Sequence, residues 1–200
     1  MHLADTASIF RFHKELLNEY GTAGSGALGW VSDAAQQARF GAFTGLANLD
    51  HHSVLDVGCG FGDLRAFLGQ YYPQLRYFGV EQIPAFLEVA AERYAHLPET
   101  VFFQGDFVVS DLPVTDYIIA CGSLNYRNSD KDFIYTIITK LFHNCRKGFA
   151  FNLLSHTEPP NGLLAAYPPA LIIEHCKTLT SQIVVKDDYW VDDFTVMLHH

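Results

Sequence analysis

The chain of 200 residues has 49% hydrophobic and 18% charged residues, a balance that excludes a disordered polypeptide and suffices for one buried core. Its 13 Lys and Arg stand against 22 Asp and Glu, and the resulting net charge of -9, with no basic cluster to oppose it, argues against a nucleic-acid partner. No apolar run approaches the roughly 20 residues of a membrane helix, nothing at the start resembles a signal peptide, and Cys59, Cys121, Cys145 and Cys176 share no C-x-x-C spacing, so a reduced, cytoplasmic protein is expected.

Ile9, Phe12, Leu16 and Leu17 recur at helical spacing, predicting a first amphipathic helix over 8–20 that Gly21 stops. The glycine-rich stretch 21–26 reads as a flexible loop, and Ser32 as the N-cap of a second helix reaching about Leu49. Residues 1–50 are thus expected to form a helical cap on a core of residues 51–200, within a single domain of residues 1–200.

From Val54 onward strands alternate with helices. Strands are predicted over 53–57, 77–81, 101–104, 117–121 and 148–153, with helices over 63–71, 84–95 and 130–145 between them. After a helix over 169–179, the strand-like runs 182–186 and 194–199 are separated by a connection too short to cross a sheet, so they must pair antiparallel as a hairpin. The expected fold is α/β: a doubly wound, mostly parallel, seven-stranded sheet with helices on both faces and a C-terminal antiparallel hairpin. The expected antiparallel strand stands at the end of the sheet.

The most informative segment is Asp56-Val57-Gly58-Cys59-Gly60-Phe61-Gly62, where an apolar strand runs into a loop with three glycines. Glycine permits the sharp turn and the close approach of a ligand beyond the carboxyl end of the strand. The register is G-x-G-x-G, with Asp63 in the place of the third glycine of a dinucleotide fold; a carboxylate there repels two phosphates and argues against NAD or FAD. Glu81 closes the second strand, where a carboxylate accepts hydrogen bonds from two ribose hydroxyls, and Gln82 follows it. Asp106 follows the third strand, placed to bond an adenine amino group while Phe107 packs on the ring.

Together these positions resemble the class I S-adenosylmethionine-dependent methyltransferases, which carry an E/DxGxGxG loop after the first strand and acidic residues after the second and third. The resemblance implies that Gly58 and Gly60 back the methionine portion of S-adenosylmethionine, that Glu81 holds the ribose, and that Asp106 and Phe107 border the adenine. It places Asp56, Gln82 and the backbones of Cys59 and Cys121 beside the ligand. It also implies an arginine for the methionine carboxylate, with Arg39 the candidate and a surface helix position the other reading. Trp30 either covers the pocket or plugs the core. S-adenosylhomocysteine would be the product.

Asn125 and Tyr126, after the fourth strand, are candidate acceptor contacts, and the stretch lacks the N-P-P-Y or D-P-P-Y run of amino-methylating nucleic-acid enzymes. The proline-rich segment 155–169 reads either as a lid, with His156 a candidate base and Tyr167 a wall, or as a plain surface connection. The ten histidines are scattered, with no H-x-x-x-H or H-E-x-x-H pair, so no metal is expected. The favoured activity is in-line methyl transfer to a small-molecule acceptor. The alternatives are a protein side-chain methyltransferase, a non-catalytic S-adenosylmethionine-binding or interaction subunit, and a nicotinamide oxidoreductase.

Overall fold

A computed structural model describes residues 3–160 and 162–200. In chain order the elements are α1 (Leu3–Tyr20), a short 3-10 turn (Ser25–Leu28), α2 (Asp33–Phe43), β1 (Ser53–Val57), α3 (Asp63–Gly69), β2 (Arg76–Glu81), α4 (Pro84–Arg93), β3 (Thr100–Gln104), β4 (Thr115–Ala120), α5 (Phe133–His143), β5 (Cys145–Leu154), α6 (Pro169–Leu179), β6 (Gln182–Lys186) and β7 (Asp193–His199).

The strands form one sheet in the order β3-β2-β1-β4-β5-β7-β6. β1 to β5 run parallel, and β7 pairs antiparallel with both β5 and β6. Order therefore reverses between β1 and β4, and the carboxyl ends of both strands open into the crevice where ligands of such sheets bind.

The middle strands are buried on both faces, and alternate side chains serve separate cores. Leu55, Val57, Ile118, Phe149 and Phe151 pack against Ile134, Ile138 and Leu141 of α5 and Ile172 of α6. Val54, Tyr77, Ile119, Ala150 and Met197 pack on the opposite side against Phe40 and Phe43 of α2 and Leu64 and Leu68 of α3.

Three expectations need correction. β7 does not close the sheet as its edge; it is wedged between β5 and β6. The reason lies in its residues: Phe194, Val196, Met197 and Leu198 are all buried, whereas β6 carries Gln182 and Lys186 with Val184 and Val185 partly in solvent, a composition suited to an edge. α2 stops at Phe43 rather than Leu49, where the Thr44 amide and hydroxyl both bond the Gly41 carbonyl and turn the chain so that Leu46 and Leu49 enter the core. The 21–26 stretch is not wholly loop, because Ser25 begins the 3-10 turn and is held by Asp33 Oδ1, 2.5 Å from its hydroxyl.

Candidate active site

Gly58, Gly60 and Gly62 all have positive φ, at 76°, 55° and 74°. The amides of Gly58 and Cys59 both donate to the Val80 carbonyl, at 2.9 and 3.1 Å, which straps the loop to β2. The bend is also crowded: a Cβ on Gly58 would stand 2.5 Å from Cβ of Ser123, and one on Gly60 2.9 Å from a methyl of Leu28. Glycine is required here by conformation and by space together.

Glu81 is buried at the end of β2, with Oε2 accepting from the Gly60 amide at 2.9 Å and Oε1 from the amides of Gln82 and Ile83 at 2.8 and 2.9 Å. Burial pushes its pKa up, and the three amides pull it partly back. Asp56, also buried, accepts from the Tyr77 hydroxyl; loss of water raises its pKa to about 7, more than that bond lowers it. Asp106 bonds the Val108 amide through Oδ1 at 2.9 Å, an Asx-turn that fixes the loop after β3. Lys140 on α5 clamps the same loop by donating to the carbonyls of Phe107, Val108 and Ser110.

Asp63 at the first turn of α3 is ion-paired to Arg93 at 2.5 Å and bonded by Gln36 at 3.0 Å. Its charge is therefore largely balanced, which weakens the electrostatic argument against a dinucleotide that its position suggested.

The roof comes from the N-terminal segment. Ile9, Phe12 and His13 of α1, together with Leu28, Trp30 and Arg39, line one cavity with the glycine loop, Asp56, Glu81, Asp106 and Asn125. His13 Nε2 lies 2.6 Å from the Tyr126 hydroxyl, and its ring meets Phe12, Phe86 and Tyr126 edge-on. Burial drives its pKa down to about 4, so it is neutral at physiological pH. Asp5, near the start of α1, accepts from the Ser129 hydroxyl and amide at 2.7 and 3.0 Å, a second tie between roof and body.

Residues 55–145 match the model of a methyltransferase domain family. A protein of Mycobacterium tuberculosis, Rv1506c, whose name assigns it provisionally to the methyltransferases, is 25% identical over 158 residues, 74% of this chain and 93% of that protein. Over residues 55–145 the chain thus carries the pattern of a methyltransferase domain. The fold is that of known methyltransferases at low identity. Magnesium protoporphyrin IX methyltransferase from Synechocystis PCC 6803, solved with bound S-adenosylhomocysteine, superposes with a TM-score of 0.66 at 14% identity, covering 83% of each chain. Human N-acetylserotonin methyltransferase, solved with S-adenosylmethionine, gives 0.70 at 16% identity, covering 97% of this chain and 58% of that one.

The cavity walls gather Trp30, Arg39, Asp56, Gly58, Cys59, Gly60, Glu81, Gln82, Asp106, Phe107, Cys121, Asn125 and Tyr126. Two expected site residues stand outside. His156 is exposed, with Nε2 3.2 Å from Glu158. Tyr167 is turned into the sheet core beside α5 and α6, with its amide bonded to the Leu154 carbonyl at 2.8 Å. Of the proline-rich segment, Leu164 reaches the cavity wall, and Arg127 donates to the carbonyls of Pro160, Gly162 and Leu164; Asn161 lies outside the described residues.

Sequence reasoning missed His13, Lys140 and Asp193. His13 carried a legible signal, since it lies one turn from Ile9 and Leu17 on the apolar stripe of the first helix. Lys140 and Asp193 reach their partners across sequence distances that no local pattern reports.

Proposed function

We propose that this methyltransferase holds S-adenosylmethionine across the carboxyl ends of β1, β2 and β3 and moves its methyl group to a small molecule enclosed beneath α1. The observation that carries the reading is one cavity that runs from Asp106 past Glu81 and the glycine loop to Arg39, with α1 laid over it.

The residues fit the cofactor. The glycine cradle has no space for a Cβ, two carboxylates stand at the ends of β1 and β2, and Arg39 lies at the far wall. Glu81, already oriented by three amides, is placed to accept from the ribose hydroxyls, and Gln82 lies beside it. Asp106 retains Oδ2 for an adenine amino group while Phe107 offers its ring. Gly58, Gly60 and the backbones of Cys59 and Cys121 border the methionine portion, Asp56 favours its cationic part, and Trp30 with Arg39 closes that end.

When bound, the cofactor supplies an electrophilic methyl group on a sulfonium. The chain has to hold an acceptor in line and keep water out. Phe12, Phe86, Phe133 and Leu164 make apolar walls, and Asn125 and Tyr126 offer polar contacts within them. His13 serves as hydrogen-bond partner to the Tyr126 hydroxyl, so the acceptor contact is held from behind. Residues 1–50 act as the cap, and a roofed chamber rather than an open groove favours a small acceptor over a protein side chain.

The test is calorimetric titration with S-adenosylmethionine, S-adenosylhomocysteine and NAD in parallel. Micromolar binding of the first two without NAD is expected. Binding of NAD alone, or of nothing, would sink the reading.

A further inference from the structure

Arg39 is held from behind by residues that lie far along the chain. Its Nε donates to Asp193 Oδ2 at 2.5 Å, and among the described residues this is the hydrogen bond that engages the guanidinium. Asp193, at the start of β7, is 3% exposed and is met by two further groups. Asn152 Nδ2 on β5 reaches Oδ1 and Oδ2 at 3.3 and 3.2 Å, and the Tyr189 hydroxyl donates to Oδ1 while standing 2.7 Å from the Thr195 hydroxyl.

The chain of contacts closes on itself. Asn152 Oδ1 accepts from the Gly122 amide at 2.8 Å. Gly122, with φ of 76°, has the Trp30 ring pressed on it, so that an added Cβ would meet that ring at 3.0 Å. The same ring covers the Arg39 guanidinium, 4.9 Å from centroid to Cζ. Trp30, Gly122, Asn152, Asp193 and Arg39 thus form a loop around one end of the cavity.

We infer that Asp193 and Asn152 are positioning residues for recognition of the cofactor's α-carboxylate, and that they act by pinning the Nε edge of Arg39 so that its two terminal nitrogens face the cavity as a fixed fork. The inference rests on the cofactor reading above. A planar guanidinium binds a carboxylate bidentately only when its orientation is set, and a stacked ring plus a bond at Nε fixes both plane and rotation. Asn152 couples the fork to the Gly122 turn through its two ends, so the Arg39 side and the strand-end side of the site are held in register.

Electrostatics alone predicts the opposite sign. The negative charge of Asp193 offsets part of the attraction that Arg39 exerts on an anion, so a site governed by charge would prefer a carboxylate ligand more strongly once Asp193 is neutralised. A site governed by orientation would prefer it less.

The experiment compares binding of S-adenosylmethionine with binding of its decarboxylated analogue, which lacks only the carboxylate. The wild type should favour the former by roughly 10- to 100-fold, the range of charge-assisted hydrogen bonds. Asp193→Asn should cut that ratio by about tenfold, chiefly by weakening S-adenosylmethionine. Tyr189→Phe removes one donor from Asp193 but keeps the ion pair, so it remains informative if Asp193→Asn does not fold, and it should lower the ratio by a smaller factor. An unchanged or increased ratio in a folded variant would overturn the inference, as would a wild type that binds both ligands equally. A wild type that binds neither sinks the cofactor reading itself and takes this inference with it.

Discussion

The hydroxyl of Tyr126, in the turn after β4, sits 2.6 Å from Nε2 of His13 on α1 and so ties the roof of the cavity to its floor. Tyr126→Phe leaves that nitrogen without a partner in an apolar wall, which costs about 1–3 kcal/mol. The variant should melt lower by roughly 2–4 °C for each kcal/mol lost, and amides of α1 should exchange faster. Unaltered melting and exchange would show that the bond does not hold the roof down.

Acid should loosen the same contact. The pKa of His13 falls from 6.5 to about 4 on folding because burial disfavours the charged ring. Above pH 6.5 both folded and unfolded states are neutral there, so the stability linked to this group is complete. As pH falls from 6.5 towards about 4 the unfolded state takes the proton first, and stability drops. Thermal melts of the wild type and His13→Gln across that window should differ in slope, with the variant flatter. Parallel slopes would contradict the assignment.

Asp56 works with the reverse sign. Burial lifts its pKa from 3.8 to about 7, so the folded state retains a proton that the unfolded state has lost, and stability present at low pH is lost as pH rises through about 7. Asp56→Asn keeps an acceptor for the Tyr77 hydroxyl without the buried charge. At pH 8 the ligand-free variant should melt roughly 3–6 °C above the wild type, for a gain of about 1–2 kcal/mol, and at pH 4 the two should converge. A variant that melts lower at pH 8 would mean that the charge is needed for folding.

Gly58→Ala combines an unfavourable φ of 76° with a Cβ 2.5 Å from that of Ser123. The conformational part alone costs roughly 1–2 kcal/mol. Adding Ser123→Gly removes the collision but not the φ strain, so the double variant should recover part of the lost stability. Full recovery would assign the whole requirement to space, and none to conformation.

Glu81→Ala should weaken S-adenosylmethionine by about 1–3 kcal/mol if two ribose hydroxyls donate to it. Calorimetry on a folded variant reads this directly, and unchanged affinity would remove Glu81 from the site.

Much of this architecture could be read from local patterns. The strands 53–57 and 182–186 and the helix 169–179 were expected with the bounds observed, because runs of apolar residues and first-turn prolines mark such elements unambiguously. The residues placed around the cavity from the glycine loop, Glu81 and Asp106 lie at strand ends, where sequence position nearly determines location. What could not be read depends on contacts between distant segments. Pairing of Asp193 with Arg39 spans 154 positions, and nothing near His156 announces that Arg127 takes up the carbonyls of Pro160, Gly162 and Leu164. The insertion of β7 beside β5 is set by burial on both faces, which a hairpin signal alone does not convey.

That insertion makes the sheet depend on its latest strand in chain order. Until β7 arrives between them, β5 lacks a ladder partner on one edge and β6 has none. The same strand delivers Asp193 to Arg39. A polypeptide interrupted before Asp193 would therefore carry an open edge on β5, an unpaired β6 segment and an unpaired buried guanidinium at once, so it would be sticky and unable to orient its ligand. Solubility and binding competence are in this sense reached in the same step, when the final strand slides home.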